Sequence, residues 1–356
     1  MLVSNFDYQL PKELIAQKPI HPRDHSRLLV LNRRTGAVKH RHFYDLPKFL
    51  KRDDLLVFNN TKVFKARLFG RIRNYESGIR GEVEIFLLRP IDKYNWEVLA
   101  KPGKKLKEGG VISFGRGLGC QVKKKKEEGV VIVKFNQPKE KVLIMADKIG
   151  HVPVPPYIAR EPKKLADYQT IYAKNTGSVA APTAGFHFTP RLFRELKKKG
   201  VRFAFVTLHV GLGTFRPVKT ERVEEHEMHS EWVEIDKETA EMIKQAKKAG
   251  RRVIAVGTTT ARVLEGVAGL TLNTKTLKHL NTTLLSPYSG DINIFIYPGY
   301  KFKIIDGLIT NFHLPKSTLL MLVSAFVGRE KILRAYQTAV KKKYRFFSFG
   351  DAMLVV

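Results

Sequence analysis

Five short stretches of this chain gather the side chains that do chemistry. Thr183, Gly185 and His187 lie in a loop of small and apolar residues that ends at Thr189-Pro190. His209, Gly211, Gly213 and Thr214 follow an apolar run, and Asn311 and His313 follow another. Gly257, Thr258 and Thr259 precede a helical pattern, where glycine and hydroxyls make a fitting cradle for a carboxylate or phosphate. His226, His229 and Glu231 form a titratable cluster, and an imidazole beside a carboxylate can be tuned for proton transfer. Each stretch also has a plain alternative: a histidine packed against aromatics, a threonine that only caps a helix, a glycine that only turns the chain.

Several chemistries are disfavoured. The second histidine of HEMHSE (226–231) arrives one residue too early for H-E-x-x-H, and no further ligand stands at zinc spacing, so no metal site is expected. No serine sits in a G-x-S-x-G elbow and no Walker lysine loop occurs. Gly211 and Gly213 hint at a dinucleotide loop, but Phe215-Arg216-Pro217 follows where that fingerprint needs a helix.

The elements that must position these groups alternate between strand and helix. Strands are expected over 27–32, 37–43, 54–59, 201–208, 253–256 and 304–310. Helices are expected over 11–17, 46–51, 191–199, 237–250, 260–268, 317–327 and 330–341, the third with Thr189 as N-cap and Pro190 at its first position. Four of the chemical stretches thus border an expected strand or helix. Ligands of open α/β sheets bind at the carboxyl ends of strands, so these loops are expected to converge on one pocket. Between 66 and about 145 the pattern changes to short alternating runs separated by Gly and Pro turns, with no convincing helix, as in an antiparallel barrel. The expected fold is therefore an α/β main domain, strands with flanking helices and barrel-like closure left open, made of residues 1–61 and 151–356. An antiparallel β-barrel domain is inserted at 62–150. Residues 267–290 read as a polar loop.

Lys and Arg number 64 against 33 acids, a net charge of +31. Such an excess attracts polyanions, nucleic acid above all, although lysine-rich helix faces account for part of it. A single cysteine and no long apolar run fit a cytoplasmic protein without a membrane segment.

With these residues in view, the chain resembles the S-adenosylmethionine:tRNA ribosyltransferase-isomerases of queuosine biosynthesis. The likeness runs through LLVFNNTKV (55–63), VAAPTAGFHF (179–188), TLHVGLGTF (207–215), HEMHSE (226–231), AVGTT (255–259), TNFHLP (310–315), STLLMLVSAF (317–326) and YRFFSFGDAM (344–353). Phe186 departs from it, standing where leucine is expected. The resemblance implies that S-adenosylmethionine is a co-substrate and not a true cofactor. Its ribosyl unit would pass to the aminomethyl group of 7-aminomethyl-7-deazaguanine (preQ1) at the tRNA wobble position, giving epoxyqueuosine, adenine and methionine. The chemistry asks for a base near C5′, a proton donor for adenine, and anchors for carboxylate and ribose. On this reading His187, His229 and Glu231 are the acid/base groups, with His209 and His313 as second choices. Thr183, Gly185, Gly211, Gly213, Thr214, His226, Gly257, Thr258, Thr259 and Asn311 would bind substrate. Arg67, Lys101, Lys104 and Arg345 would contact tRNA, and a monomer is expected. An S-adenosylmethionine-dependent methyltransferase and a non-catalytic RNA-binding barrel are the competing readings.

Overall fold

The computed structural model describes residues 1–73, 80–126, 129–155, 157–159, 161–162, 164–211, 218–273 and 285–356. Gly213 and Thr214, and residues 274–284 of the 267–290 stretch, lie outside them. The chain forms two compact units: Met1–Thr61, Gln169–Asn175 and Ala181–Val356 make one, and Lys62–Tyr168 with Thr176–Ala180 make the other.

In chain order the first unit contributes β1 (Arg27–Leu31), β2 (Val38–His42) and β3 (Leu55–Asn59). After the short β4 (Thr61–Val63) the second unit holds β5 (Arg67–Arg73), β6 (Arg80–Pro90), β7 (Asn95–Lys101), β8 (Val111–Gly115), β9 (Leu118–Lys125), β10 (Val130–Phe135) and α1 (Lys139–Ile149). Then follow β11 (Asn175–Ser178), α2 (Pro190–Lys198), β12 (Arg202–Leu208), β13 (Glu231–Ile235), α3 (Lys237–Lys248), β14 (Val253–Val256) and α4 (Thr258–Asn273). The chain ends with β15 (Tyr288–Ile292), β16 (Gly307–Asn311), α5 (Thr318–Val327), α6 (Arg329–Lys341) and β17 (Ala352–Val355).

The large sheet runs β15-β13-β12-β3-β14-β16-β17-β1-β2 and is open, so the barrel-like alternative for the main domain does not hold. Its centre is β3, every residue of which is buried. That is why its sequence is a continuous apolar run and not an alternating one. On one face Leu56, Phe58, Ile254 and Val256 pack with Phe188 and with Leu192 and Leu196 of α2. Helices α3 and α4 pack against β12 and β14.

In the second unit β10-β7-β6-β5-β8-β9 close into a barrel. Alternate residues point inward, as the period of two requires: β8 buries Ile112 and Phe114 and exposes their neighbours. Trp96, Phe135 and Val133 fill the interior.

Several expectations need correction. Helix α1 interrupts the stretch read as helix-free. Its run Val142-Leu143-Ile144-Met145 masks the helical period, because Val142 and Ala146 are buried while Ile144 stays exposed. The helices expected at 11–17 and 46–51 are 3₁₀ turns, Lys12–Leu14 and Phe43–Phe49, the latter with Pro47 inside. The polar 267–290 stretch is entered by α4, which continues to Asn273, and left by β15. Strand β13 was missed behind the charged cluster that precedes it. The segment after Gly150 stays with the barrel unit, because His151 bridges back to Arg67. Among the described residues no helix is long and apolar enough to cross a membrane.

Candidate active site

Strand direction gathers the chemistry. β12, β3, β14 and β16 are mutually parallel, so their carboxyl ends lie along one edge of the sheet. β13 and β17 run the other way, and β1 is parallel to β17, so the residues just before these strands meet at the same edge. Asn59, His209, Gly257 and Asn311 arrive there as strand ends; Ser26, Glu231 and the 345–351 segment arrive as strand starts.

The Thr183–His187 3₁₀ turn packs on β16. Gly185 is required there, because a Cβ would lie 1.9 Å from the Tyr172 hydroxyl. Gly257 has φ of 95°, a left-handed conformation that only glycine takes without strain, and this lets the chain leave β14 directly into α4. Thr183 precedes Ala184, and Ala184 approaches Gly257 to within 3.8 Å of where a Cβ would sit. Thr189 caps α2 by accepting from Leu192 N at 3.2 Å and itself donates to Asp24 at 2.7 Å.

His187 is buried, stacks on Phe43 at 4.9 Å between centroids, and shares a 2.7 Å hydrogen bond between Nδ1 and Ser26 Oγ. Burial, then the Arg23 charge, lowers its pKa to about 3, against the opposing influence of the Asn311 side chain. At neutral pH it is an uncharged imidazole. A narrow crevice beside it is lined by Ile20, Arg23, Phe186, Ser348 and Phe349. Phe186 stacks on Phe349, with the Arg23 guanidinium 4.8 Å above its ring.

A second group forms around β3 and β12. Asn59 accepts from Leu208 N at 3.0 Å and from Thr61 N at 3.1 Å, and donates toward Thr259 Oγ1 at 3.4 Å, tying three elements together. His209 stacks on Trp232 and shares a 2.8 Å hydrogen bond between Nδ1 and Thr61 Oγ1; burial lowers its pKa to about 4. Glu231 Oε2 meets Arg262 Nη1 at 2.5 Å, and its Oε1 accepts from Gly211 N at 3.3 Å. Both partners are buried. Thr258 and Thr259 are buried at the start of α4.

Of the remaining expected residues Asn311 stays at this edge, and the others are dispersed. His313 is buried with Nε2 on Thr310 Oγ1 at 2.8 Å, its N–H given to Tyr336 and its carbonyl taken by Tyr8; burial lowers its pKa to about 3. These partners tie the N-terminal segment to α6. His226 is half-buried against Phe295, its pKa lowered by burial and then by His229, which is exposed. Asn311 donates to Phe347 O at 2.9 Å. Arg345 is half-buried and donates to the Lys18 carbonyl, whereas Arg67 pairs with Glu84 at 3.0 Å. Lys101 and Lys104 are exposed.

Sequence reasoning missed Arg262, Asn59, Thr61 and Ser26. Arg262 had a signal, since it is the lone cation in the apolar run of α4, one turn beyond Thr258. Asn59-Asn60-Thr61 end a buried strand, as the other polar loops do. Ser26 had none.

Residues 3–355 match the family described as queuosine biosynthesis protein. The S-adenosylmethionine:tRNA ribosyltransferase-isomerase of Heliobacterium modesticaldum is 54% identical, with the whole of both chains covered. Its namesakes from Clostridium kluyveri and Carboxydothermus hydrogenoformans are 51% and 54% identical over the same share. The crystal structure of S-adenosylmethionine tRNA ribosyltransferase from Thermotoga maritima is 38% identical, with a TM-score of 0.54 and coverage of 99% of this chain and 100% of that one. A strand-end site of this composition, carried on a chain matched from end to end, has one conclusion: the chain belongs to the queuosine biosynthesis protein family.

Proposed function

We propose that this protein transfers and isomerises the ribosyl moiety of S-adenosylmethionine onto preQ1 at the tRNA wobble position, releasing adenine and methionine. The observation that carries the reading is the single sheet edge where neutral imidazoles, a hydroxyl-lined helix start and a buried ion pair are all presented. The reaction needs proton transfer at C5′ and at adenine without a covalent protein nucleophile, and imidazole is suited to both. In the tautomer that donates Nδ1–H to Ser26, His187 would offer Nε2 as a lone-pair acceptor for the C5′ proton, and His209 would do the same in the tautomer that donates to Thr61. His229 and Glu231 remain candidate acid/base groups, Glu231 already engaged by Arg262. Thr183, Gly185, Gly257, Thr258 and Thr259 would wall the donor pocket.

The barrel unit is read as an inserted domain that offers Lys101 and Lys104 to tRNA phosphates. The base to be modified must leave its stack to reach an edge of the main sheet. The protein acts as a monomer in the cytoplasm on this reading. The deciding experiment follows labelled donor with precursor tRNA. Ribosyl carbon in the RNA and free adenine support the proposal, while methyl carbon in the RNA would mean a methyltransferase. Near-normal adenine release by all of His187→Ala, His229→Ala and Glu231→Gln would sink the residue assignment.

A further inference from the structure

Helix α4 carries two buried charged residues almost one turn apart, Arg262 and Glu265, and the chain treats them differently. The Glu265 carboxylate is saturated: it accepts from Lys303 N at 2.7 Å, from Ile304 N and Ile305 N at 3.0 Å, and from the Tyr300 hydroxyl at 3.2 Å. Arg262 is 4% exposed, and its Nη1 meets Glu231 Oε2 at 2.5 Å. Its Nε and Nη2 are closed off from solvent and have no hydrogen-bond partner among the described residues.

These two nitrogens are not a random pair. Nε–H and the neighbouring Nη2–H form the side-on edge of the guanidinium, which matches the two oxygens of a carboxylate in a bidentate bond. Buried donors are almost always satisfied, so an unused fork of this kind calls for a partner that the described residues do not provide. Glu231 holds the opposite end of the guanidinium and is in turn held by Gly211 N, which fixes the direction of the fork. Thr258, also buried, lies on the same face of α4 four residues earlier.

We infer that the Nε/Nη2 edge of Arg262 binds the α-carboxylate of the methionine part of the ribosyl donor, with Glu231 as its positioning residue. This rests on the proposed function. The α-carboxylate is the only anionic group of S-adenosylmethionine, so an arginine beside the donor pocket has one possible ionic partner on it. A tRNA phosphate is the other anion available to this enzyme, but a residue 4% exposed at the sheet edge suits a small ligand better than a backbone phosphate.

The test compares S-adenosylmethionine with its decarboxylated analogue by calorimetry, without tRNA, on the wild type, Arg262→Gln and Arg262→Lys. The wild type should bind the analogue about ten- to a hundredfold more weakly. Arg262→Gln should lose a similar factor for S-adenosylmethionine and bind both ligands alike. Arg262→Lys, which keeps the charge without the fork, should fall between and carries the comparison if Arg262→Gln does not fold. Equal binding of the two ligands by the wild type overturns the inference, as does full discrimination by a folded variant. Unchanged donor affinity with weakened tRNA binding would assign the fork to a phosphate instead. Failure of the wild type to release adenine with precursor tRNA would reject the proposed function itself, an outcome distinct from all of these.

Discussion

The mouth of the main sheet and the flank behind α4 both bury charged groups, yet the flank saturates Glu265 while the mouth leaves donors of Arg262 without a partner among the described residues. Behind α4, Glu265 receives three backbone N–H groups and a phenol. At the mouth, Arg262 Nε and Nη2 have no hydrogen-bond partner among the described residues. The flank is built to hold the 300–305 segment on the helix. The mouth retains polar atoms that cost stability and are tolerated where a substrate uses them. Burial alone therefore does not distinguish Arg262 from Glu265; their hydrogen bonding does, although buried atoms without a partner among the described residues also occur away from the mouth, at Trp96 Nε1 and Ser324 Oγ.

The contrast can be broken at either region. The largest effect is expected at the mouth: His187→Ala should lower adenine release by about 10²- to 10⁴-fold with S-adenosylmethionine saturating, and shift the denaturation midpoint little by comparison. A loss of folding as large as the loss of turnover would place His187 with the structural groups. Next comes the flank, where Glu265→Leu should destabilise the fold by about 3–5 kcal/mol in urea titrations, because three buried N–H groups lose their acceptor. Donor affinity of the molecules that remain folded should not change.

A change of pH tests the buried imidazoles. His187, His209 and His313 have folded pKa values lowered to about 3, 4 and 3, below the ordinary value near 6.5. Below 6.5 the unfolded chain binds protons that the native state refuses. The three histidines therefore contribute stability in full above about pH 6.5 and lose it as pH falls toward 4 and 3. Urea midpoints should decline from pH 7.5 to pH 5, and His313→Asn should flatten that decline. The smallest effect is expected from Tyr300→Phe, about 1 kcal/mol, since Glu265 keeps its three backbone donors. A loss several times larger would mean that the phenol, not the backbone, anchors the flank.

Much of this was legible without coordinates. The continuous apolar run at 54–59 announced a strand covered on both faces, and the turn-punctuated alternation after Ala66 announced a barrel, because those periods follow directly from backbone geometry. Helix α1 escaped because an exposed Ile144 breaks the amphipathic pattern. Strand β13 escaped because its first residue, Glu231, is a buried carboxylate, which no hydropathy pattern assigns to a strand.

Among the candidate site residues, His187, His209, Glu231, Gly257, Thr258 and Thr259 stood out by type and by place in the chain. Types and local spacing alone also nominated His313, which the structure commits to Thr310, Tyr336 and Tyr8. The sequence by itself determined the strands, the barrel, the polar loops at their ends and the family likeness, since each depends on neighbours in the chain. Only the tertiary structure decided which polar groups share one edge. Ser26 and His187 lie 161 positions apart, and Arg262 and Glu231 come from a helix and a strand on opposite sides of α3 in the chain. Such pairings depend on strand order and direction, which are set by long-range packing and leave no mark on either segment.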